Sequence, residues 1–558
     1  MSTTPPRHPQ GAAPSTGTTD FDVIVVGAGF AGLYMLHRLR GLGLKAVVLE
    51  AGDGVGGTWY WNRYPGARCD IESKFYSYSF DEGLQQEWEW SERYAAQPEI
   101  LRYLEHVADR FDLLRDIRLG TRVTTARFQD DAGVWCLRTD TGESLTSRYC
   151  VMATGSLSVA KDLDFEGLED FEGGCYRTSR WPHEGVDFTG KRVAIVGTGS
   201  SGVQSIPAIA EQAAHVIVLQ RTPGFSLPAH NRLLTDEDHR AVKADYAALR
   251  HASRTSPFGI PVGEPPTFSA LEVSPEERRA RYQERWDEGA VARLSTSFTD
   301  ISTDLDANAT VVEFIHSKIR EIVTDPDTAQ KLLPRAYPYG AKRICFDTDY
   351  YAAFNRDNVE LVDVRATPIT RVTATGVATT NAEYPVDAIV FATGFDAMTG
   401  ALLAMDIRGR AGLSLRDKWA AGPRTYLGLG VAGFPNLFLM AGPGSPSVLS
   451  NLVASIEQHV EWIAECLDTL CRRGVTVIEA TAEEEDDWVT HVNEVSSGTL
   501  FMRADSWYLG ANVPGKPRVF MPYAGGVGAY RKTCDKVAAN GYEGFAIAEP
   551  SPTRPLSD

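Results

Sequence analysis

The 558-residue chain is short of several things, and each shortage removes a class of chemistry. Its eight cysteines (Cys69, Cys136, Cys150, Cys175, Cys345, Cys466, Cys471 and Cys534) include no CxxC pair and no Cys/His ligand spacing. A dithiol redox centre and a zinc module are thereby excluded, and the pattern predicts reduced thiols in a cytoplasmic protein without a metal. Basic residues are in deficit: Lys+Arg 55 against Asp+Glu 73 leaves a formal charge of −18, the wrong sign for a nucleic-acid or anionic-membrane surface. No apolar run approaches the roughly 18 residues of a membrane span. Residues 1–20, rich in Thr, Pro and Gly, carry no apolar signal core and are expected to be a disordered lead, with 547–558 a disordered tail. No obligate protein partner is evident.

What is present is length enough for several domains and two copies of one local pattern. Phe21–Val26 is a continuous apolar run suited to a strand buried on both faces. It leads into Gly27-Ala28-Gly29-Phe30-Ala31-Gly32, a helical stretch through Leu39, and a strand from Ala46 to Leu49 that ends at Glu50, an acid 23 residues after the first glycine. Glycines at this spacing let the backbone approach a pyrophosphate, the helix N-terminus supplies positive charge, and Glu50 can accept from an adenosine ribose hydroxyl. The second copy starts at strand Val193–Val196, continues through Gly197-Thr198-Gly199-Ser200-Ser201-Gly202, and closes on strand His215–Leu219. There the acid is replaced by Gln220-Arg221-Thr222. An acid repels a 2′-phosphate and an arginine pairs with it, so the second nucleotide is expected to be NADP.

Between and after these units lie a helix from about Glu99 to Phe111 and alternating segments around Val123 and Trp135 that read as a β-meander. Residues 226–335 read as a polar helical insertion. Strands are expected at Val359–Val362 and Asp387–Phe391, the latter entering Ala392-Thr393-Gly394 just as an earlier strand enters Ala153-Thr154-Gly155. A long helix is expected from Ser447 to Cys471, with Ser445 as N-cap and Pro446 at N1. The expected fold is α/β, with two Rossmann-like dinucleotide-binding domains, for FAD and NADP, and the helical insertion. The FAD domain takes 21–155 and 390–546, and the NADP domain 156–225 and 336–389.

Two dinucleotide sites without a dithiol imply that electrons pass from nicotinamide to flavin and on to another acceptor, oxygen being the obvious one. Five segments then carry a resemblance. Gly57-Thr58-Trp59, Tyr64-Pro65-Gly66 and Asp70 fit GxWxxxx(F/Y)PGxxxD. Phe171 to Pro182 fits FxGxxxHxxx(W/F)P except that Arg177 stands at the histidine. Gly340 to Arg343, Gly442-Pro443-Gly444 and Ser506 to Asn512 add to it. The chain resembles the type I Baeyer-Villiger monooxygenases, most closely the phenylacetone and steroid monooxygenases, from Phe21 to about Ala546.

The resemblance implies an FAD-containing enzyme that uses NADPH and O2 to convert bulky aromatic, alicyclic or steroid-like ketones into esters or lactones through a C4a-peroxyflavin. It implies that Arg343 is the catalytic arginine stabilising the peroxide and the later oxyanion, with Asp70 orienting it. A permanent cation suits this role because it gives up no proton. Lys342, Arg221 and Thr222 would grip the 2′-phosphate, Tyr76 and Trp59 would lie beside the cofactor, and Trp507 would sit in a lid over NADP and substrate. Ser447, Val448, Leu449 and Leu452 match positions lining the ketone pocket, although they also begin an apolar helical stripe. Two alternatives stay open: oxygenation of sulfur or nitrogen, and a poorly coupled NADPH oxidase or redox-binding flavoprotein.

Overall fold

A computed structural model describes residues 19–289 and 293–548. Most of the expected N-terminal lead and C-terminal tail lies outside these. Ile547 and Ala548, assigned above to the tail, instead end a strand, Phe545–Ala548, paired antiparallel with Val477–Ala480. The ladder's backbone hydrogen bonds hold them there.

Two parallel-centred sheets organise the chain. In the first, the strands run in the order Asp406–Arg408, Val123–Gln129, Val134–Thr139, Ser144–Met152, Phe21–Val26, Ala46–Leu49, Ile117–Arg118, and Leu437–Leu439 joins the end of Ser144–Met152. The meander from Val123 to Met152 is antiparallel, and Phe21–Val26 is parallel to both its neighbours. That strand is apolar throughout its buried part because both faces are covered. Val23 and Val25 pack with Leu33, Leu36, Val460 and Ile463 of the helices Phe30–Gly41 and Leu452–Arg472, and Ile24 packs with Trp135 and Leu437 on the other side. The second sheet is wholly parallel, in the order Val359–Asp363, His215–Gln220, Arg192–Val196, Ala388–Phe391, Gly174–Arg177.

The insertion contains the helices Asp236–Ala244, Tyr246–Thr255, Pro275–Glu288, Leu305–Ile322 and Pro326–Leu332. It departs and returns through a parallel pair, Ser226–Pro228 with Cys345–Asp347, and this pair carries Arg343 back to the second glycine loop. Arg250 docks the insertion on the first unit: its buried guanidinium donates to Ser77 Oγ (2.8 Å), the Tyr78 carbonyl (3.2 Å) and Gln85 Oε1 (2.9 Å).

A second expected boundary is wrong. The long helix starts at Leu452, not Ser447, and its cap is Asn451, whose side chain accepts from the Val453 N–H. Ser447–Leu449 form a separate 3-10 turn, Ser447 has φ +42° and Ser450 is extended, so Ser445 and Pro446 neither cap nor begin the helix. Among the described residues no helix is long and apolar enough to cross a membrane.

Candidate active site

Each glycine loop is shaped by the strand that passes it. Gly27 and Gly197 both have φ +106°, and a Cβ on either would lie 2.5 Å from the Ala153 carbonyl oxygen or 2.7 Å from that of Ala392. Only glycine fits such an approach. The third glycines, Gly32 and Gly202, leave no room for a Cβ against Gly27 and Gly197. Elsewhere, side chains of Thr235, Ser274, Asp304, Asn451 and Thr481 cap helix N-termini, whereas the helices after Gly29 and Gly199 have no side-chain cap. Two uncapped N-termini behind glycine turns are anion sites, and their geometry fits the pyrophosphates of two dinucleotides. Glu50 is buried, and its two oxygens accept from Ala28 N (2.7 Å) and Gly52 N (2.8 Å). Burial raises its pKa against these hydrogen bonds. Each oxygen keeps a lone pair for a ribose hydroxyl.

The segment from Gly57 to Asp70 runs from the first loop to the second unit. A Cβ on Gly29 would lie 3.3 Å from the Gly57 Cα, so the two backbones nearly touch. Thr58 is exposed and Trp59 buried in the short helix that follows; the Trp59 indole donates to Tyr76 O–H at 3.2 Å, and the Phe30 ring meets Tyr76 edge-on. Tyr64 donates to Gln204 Oε1 (2.9 Å) on the helix Ser200–Ala210, and Gln204 donates back to the Arg68 carbonyl (3.0 Å). The segment therefore straps one unit to the other and ends at Asp70.

Asp70 Oδ2 accepts from Arg343 Nε (3.1 Å) and from Nη2, and Arg343 Nη1 donates to the Val448 carbonyl (2.8 Å). Three of the five guanidinium N–H groups are thereby engaged. Burial opposes the charge on Arg343, but attraction to Asp70 overcomes it and the pKa is raised. The Tyr508 hydroxyl lies beside the same guanidinium, and burial pushes its own pKa up to about 12. Arg343 keeps 27% of its side chain accessible, so it is not sealed in the core.

Beyond the second glycine loop Arg221 is exposed, the Thr222 carbonyl accepts from Thr198 Oγ1 (3.4 Å), and the Lys342 ammonium sits 4.6 Å from the Tyr337 ring centroid. Ser200 Oγ stands 3.7 Å from Cys345 Sγ, which ties the helix start to the returning strand, and Ser201 faces Tyr64.

The four pocket residues divide. Ser447 is fully buried, its hydroxyl turned to the Ala441 carbonyl (3.3 Å), and Val448 is engaged through its carbonyl; Leu449 and Leu452 stay partly exposed. Trp507 packs on Tyr508 at 4.5 Å between ring centroids. The sequence pointed to Trp507 and missed Tyr508, its neighbour that reaches Arg343; nothing local distinguishes them. It also missed Lys516, whose ammonium binds Asp396 Oδ1 (2.5 Å) and the Ala397 carbonyl (2.7 Å), fixing its own segment to the returning interdomain crossing. Thr399 Oγ1, Ser506 Oγ and Asn512 Oδ1, on the lid and that crossing, are buried with no protein partner among the described residues. No described cluster of His, Cys, Asp and Glu could hold a metal.

Residues 24–232 match the pyridine nucleotide-disulphide oxidoreductase family. The chain is 43% identical to the acetone monooxygenase (methyl acetate-forming) of Gordonia sp. (strain TY-5), over 95% of this chain and 100% of the relative. It is 42% identical to a Baeyer-Villiger monooxygenase of Pseudooceanicola batsensis, over 94% and 95% of the two chains. A solved structure, oxidized steroid monooxygenase bound to NADP, superposes with a TM-score of 0.91 at 55% identity, covering 95% of this chain and 100% of that one.

Proposed function

This chain belongs to the Baeyer-Villiger monooxygenases, oxidoreductases that use FAD and NADPH, and from that premise we propose that it turns bulky aromatic, alicyclic or steroid-like ketones into esters or lactones. The observation that carries the reading is the Asp70–Arg343 pair, which joins the segment running from the first glycine loop to the strand returning beside the second and leaves the arginine side chain partly accessible. FAD, once reduced by NADPH, supplies the oxygen-activating chemistry. Gly27, Gly29, Phe30, Ala31, Gly32, Gly57, Thr58, Trp59 and Tyr76 would hold it, with Glu50 on its ribose. Gly197 to Gly202, Arg221, Thr222 and Lys342 would hold NADP.

Arg343 supplies fixed positive charge to the substrate oxygen as negative charge develops there, and preorganisation by Asp70 and the Val448 carbonyl means no donor has to turn during the reaction. Its raised pKa keeps it from acting as a proton donor. Leu449 and Leu452 would form the apolar wall for the ketone, with Ser447 and Val448 behind them. Tyr508 and Trp507 would close the site against water.

The test is product analysis with NADPH, isotopically labelled O2 and ketones of graded size. One labelled oxygen in an ester per NADPH is the expected result. Sulfur or nitrogen oxides in preference to ester would move the reaction to heteroatom oxygenation, and peroxide alone would make the protein an oxidase.

A further inference from the structure

The outgoing crossing between the two units pairs with the returning one: Asp396 N donates to the Val159 carbonyl (2.9 Å), Lys161 N to the Gly394 carbonyl (3.3 Å), and Ala160 faces Phe395. This pairing sets Lys161 at the carboxyl edge of the second sheet, directly beyond strand Ala388–Phe391. Arg221 leaves the same edge beyond strand His215–Gln220, and only one strand, Arg192–Val196, separates the two. At the usual strand spacing that is about 10 Å between strand axes. Arg221 and a lysine on its four-carbon stem can both lean over the intervening loop, Gly197 to Gly202. Ligands of such sheets bind outside this edge.

Lys161 is half-buried, and its ammonium donates to the Asn512 carbonyl at 3.5 Å, long enough to be given up at little cost. Among the described residues neither Lys161, Arg221 nor Lys342 forms an ion pair with an acid; Asp505, which attracts Lys342, is paired with Arg518. Lys161 and Arg221 thus share one edge with no described acid paired to either, and Lys342 feels the charge of Arg221 from beside them. Burial, and then the charge of Arg221, lower the pKa of Lys161; burial and Arg221 also act downward on Lys342. Holding such a cluster together is unfavourable unless an anion enters it.

We propose that Lys161 is a third cation of the 2′-phosphate site and a determinant of the preference for NADPH over NADH. The assignment rests on the reading that the second glycine loop holds NADP. It also gives the phosphate a contact on the crossing itself, so the bound nucleotide ties that crossing to the second sheet.

The test uses the FAD-loaded enzyme and dissociation constants for NADP+ and NAD+ from flavin fluorescence or calorimetry, for Lys161→Met, Lys161→Arg and Arg221→Ala. A charge-assisted contact predicts that Lys161→Met weakens NADP+ by about tenfold and NAD+ by less than about twofold, with Lys161→Arg near the parent. The salt dependence of NADP+ binding should become shallower in Lys161→Met, as one fewer cation faces the phosphate. Equal losses for both nucleotides, or none, overturn the role of Lys161. If Arg221→Ala also leaves the NADP+ to NAD+ ratio unchanged, the site itself is misplaced; if only Lys161→Met does, the third cation alone is wrong.

Discussion

A single oxygen of Asp70, Oδ2, receives both Nε and Nη2 of Arg343 across 273 positions of sequence. The pair joins the segment that begins at the first glycine loop to the strand that returns from the insertion. With Val448 holding Nη1, the guanidinium is fixed from two directions, by two residues assigned to the first unit.

Arg343→Ala should bind FAD and undergo reduction by NADPH but lose ester formation, because the cation is needed only for oxygen transfer. Removing a charge contact of this kind costs roughly 3 kcal/mol or more in the transition state, a loss of at least a hundredfold. Arg343→Lys should not recover it, since an ammonium cannot reach Asp70 and Val448 together. Anaerobic reduction followed by ester yield separates the two halves; near-parental ester from either variant would remove Arg343 from the chemistry.

Asp347 should make the protein less stable as pH rises through the mildly acid range. Its carboxyl is buried, accepts from Ser226 Oγ and the Tyr350 N–H (3.0 Å), and burial pushes its pKa up to about 6. A carboxyl whose folded pKa exceeds its unfolded value near 4 stabilises fully below about pH 4, and that contribution falls away up to about pH 6, by roughly 3 kcal/mol. Asp347→Asn keeps the shape and should flatten this slope in unfolding curves taken from pH 4 to 7. An unchanged slope would show that Asp347 does not titrate there.

His459 should act in the opposite sense. Its Nδ1 accepts from the Ala441 N–H (3.0 Å), its Nε2 pairs with the Tyr530 hydroxyl (3.0 Å), and burial lowers its pKa to about 3. Tyr530 in turn donates to the Leu427 carbonyl, which leaves the imidazole as donor at Nε2 and acceptor at Nδ1, a neutral tautomer. Folding keeps this histidine neutral, so its contribution is whole above pH 6.5 and is lost as pH falls from there toward 3. His459→Gln should weaken that acid-side loss, read as the change in melting temperature between pH 7 and pH 5; an identical change in both proteins would refute it.

Both glycine loops and the strands feeding them were legible because local spacing carries them: a buried strand, a glycine that must have positive φ, a helix behind it; Asp70 and Arg343 were reached only through the family resemblance of the segments in which they stand. The start of the long helix was not. Ser445-Pro446 is a good local opening, but the Val448 carbonyl is taken by Arg343, 105 positions away, and Asn451 Nδ2 bonds the Phe75 carbonyl (2.8 Å), 376 positions away. Lys161 and Tyr508 were hidden for the same reason, being placed by a crossing and a lid rather than by neighbours in sequence. Asn451→Ala should therefore lose a cap and a tertiary tie together, at about 2 kcal/mol or more in denaturant unfolding, whereas Ser445→Ala should show no loss of a helix cap.

Arg177, the position at which the motif resemblance departs from histidine, closes the edge strand of the second sheet beside Phe391, and its carbonyl accepts from Arg180 N (3.0 Å). Its side chain is half-buried, and among the described residues no acid or hydroxyl pairs with the guanidinium. Phe391 is the last residue before the returning crossing, so Arg177 stands where the two units are hinged. An imidazole there could be neutral, accept as well as donate, and change partners as the units shift; a guanidinium stays charged and only donates. Left without a partner, it is best solvated when the hinge leaves it open to water, which should loosen the hold on the nucleotide and raise the share of NADPH that ends as peroxide. Arg177→His should lower the peroxide released per NADPH at saturating ketone while leaving flavin reduction near its parental rate. An unchanged ratio would place Arg177 at a tolerant surface position, where an exposed arginine contributes little.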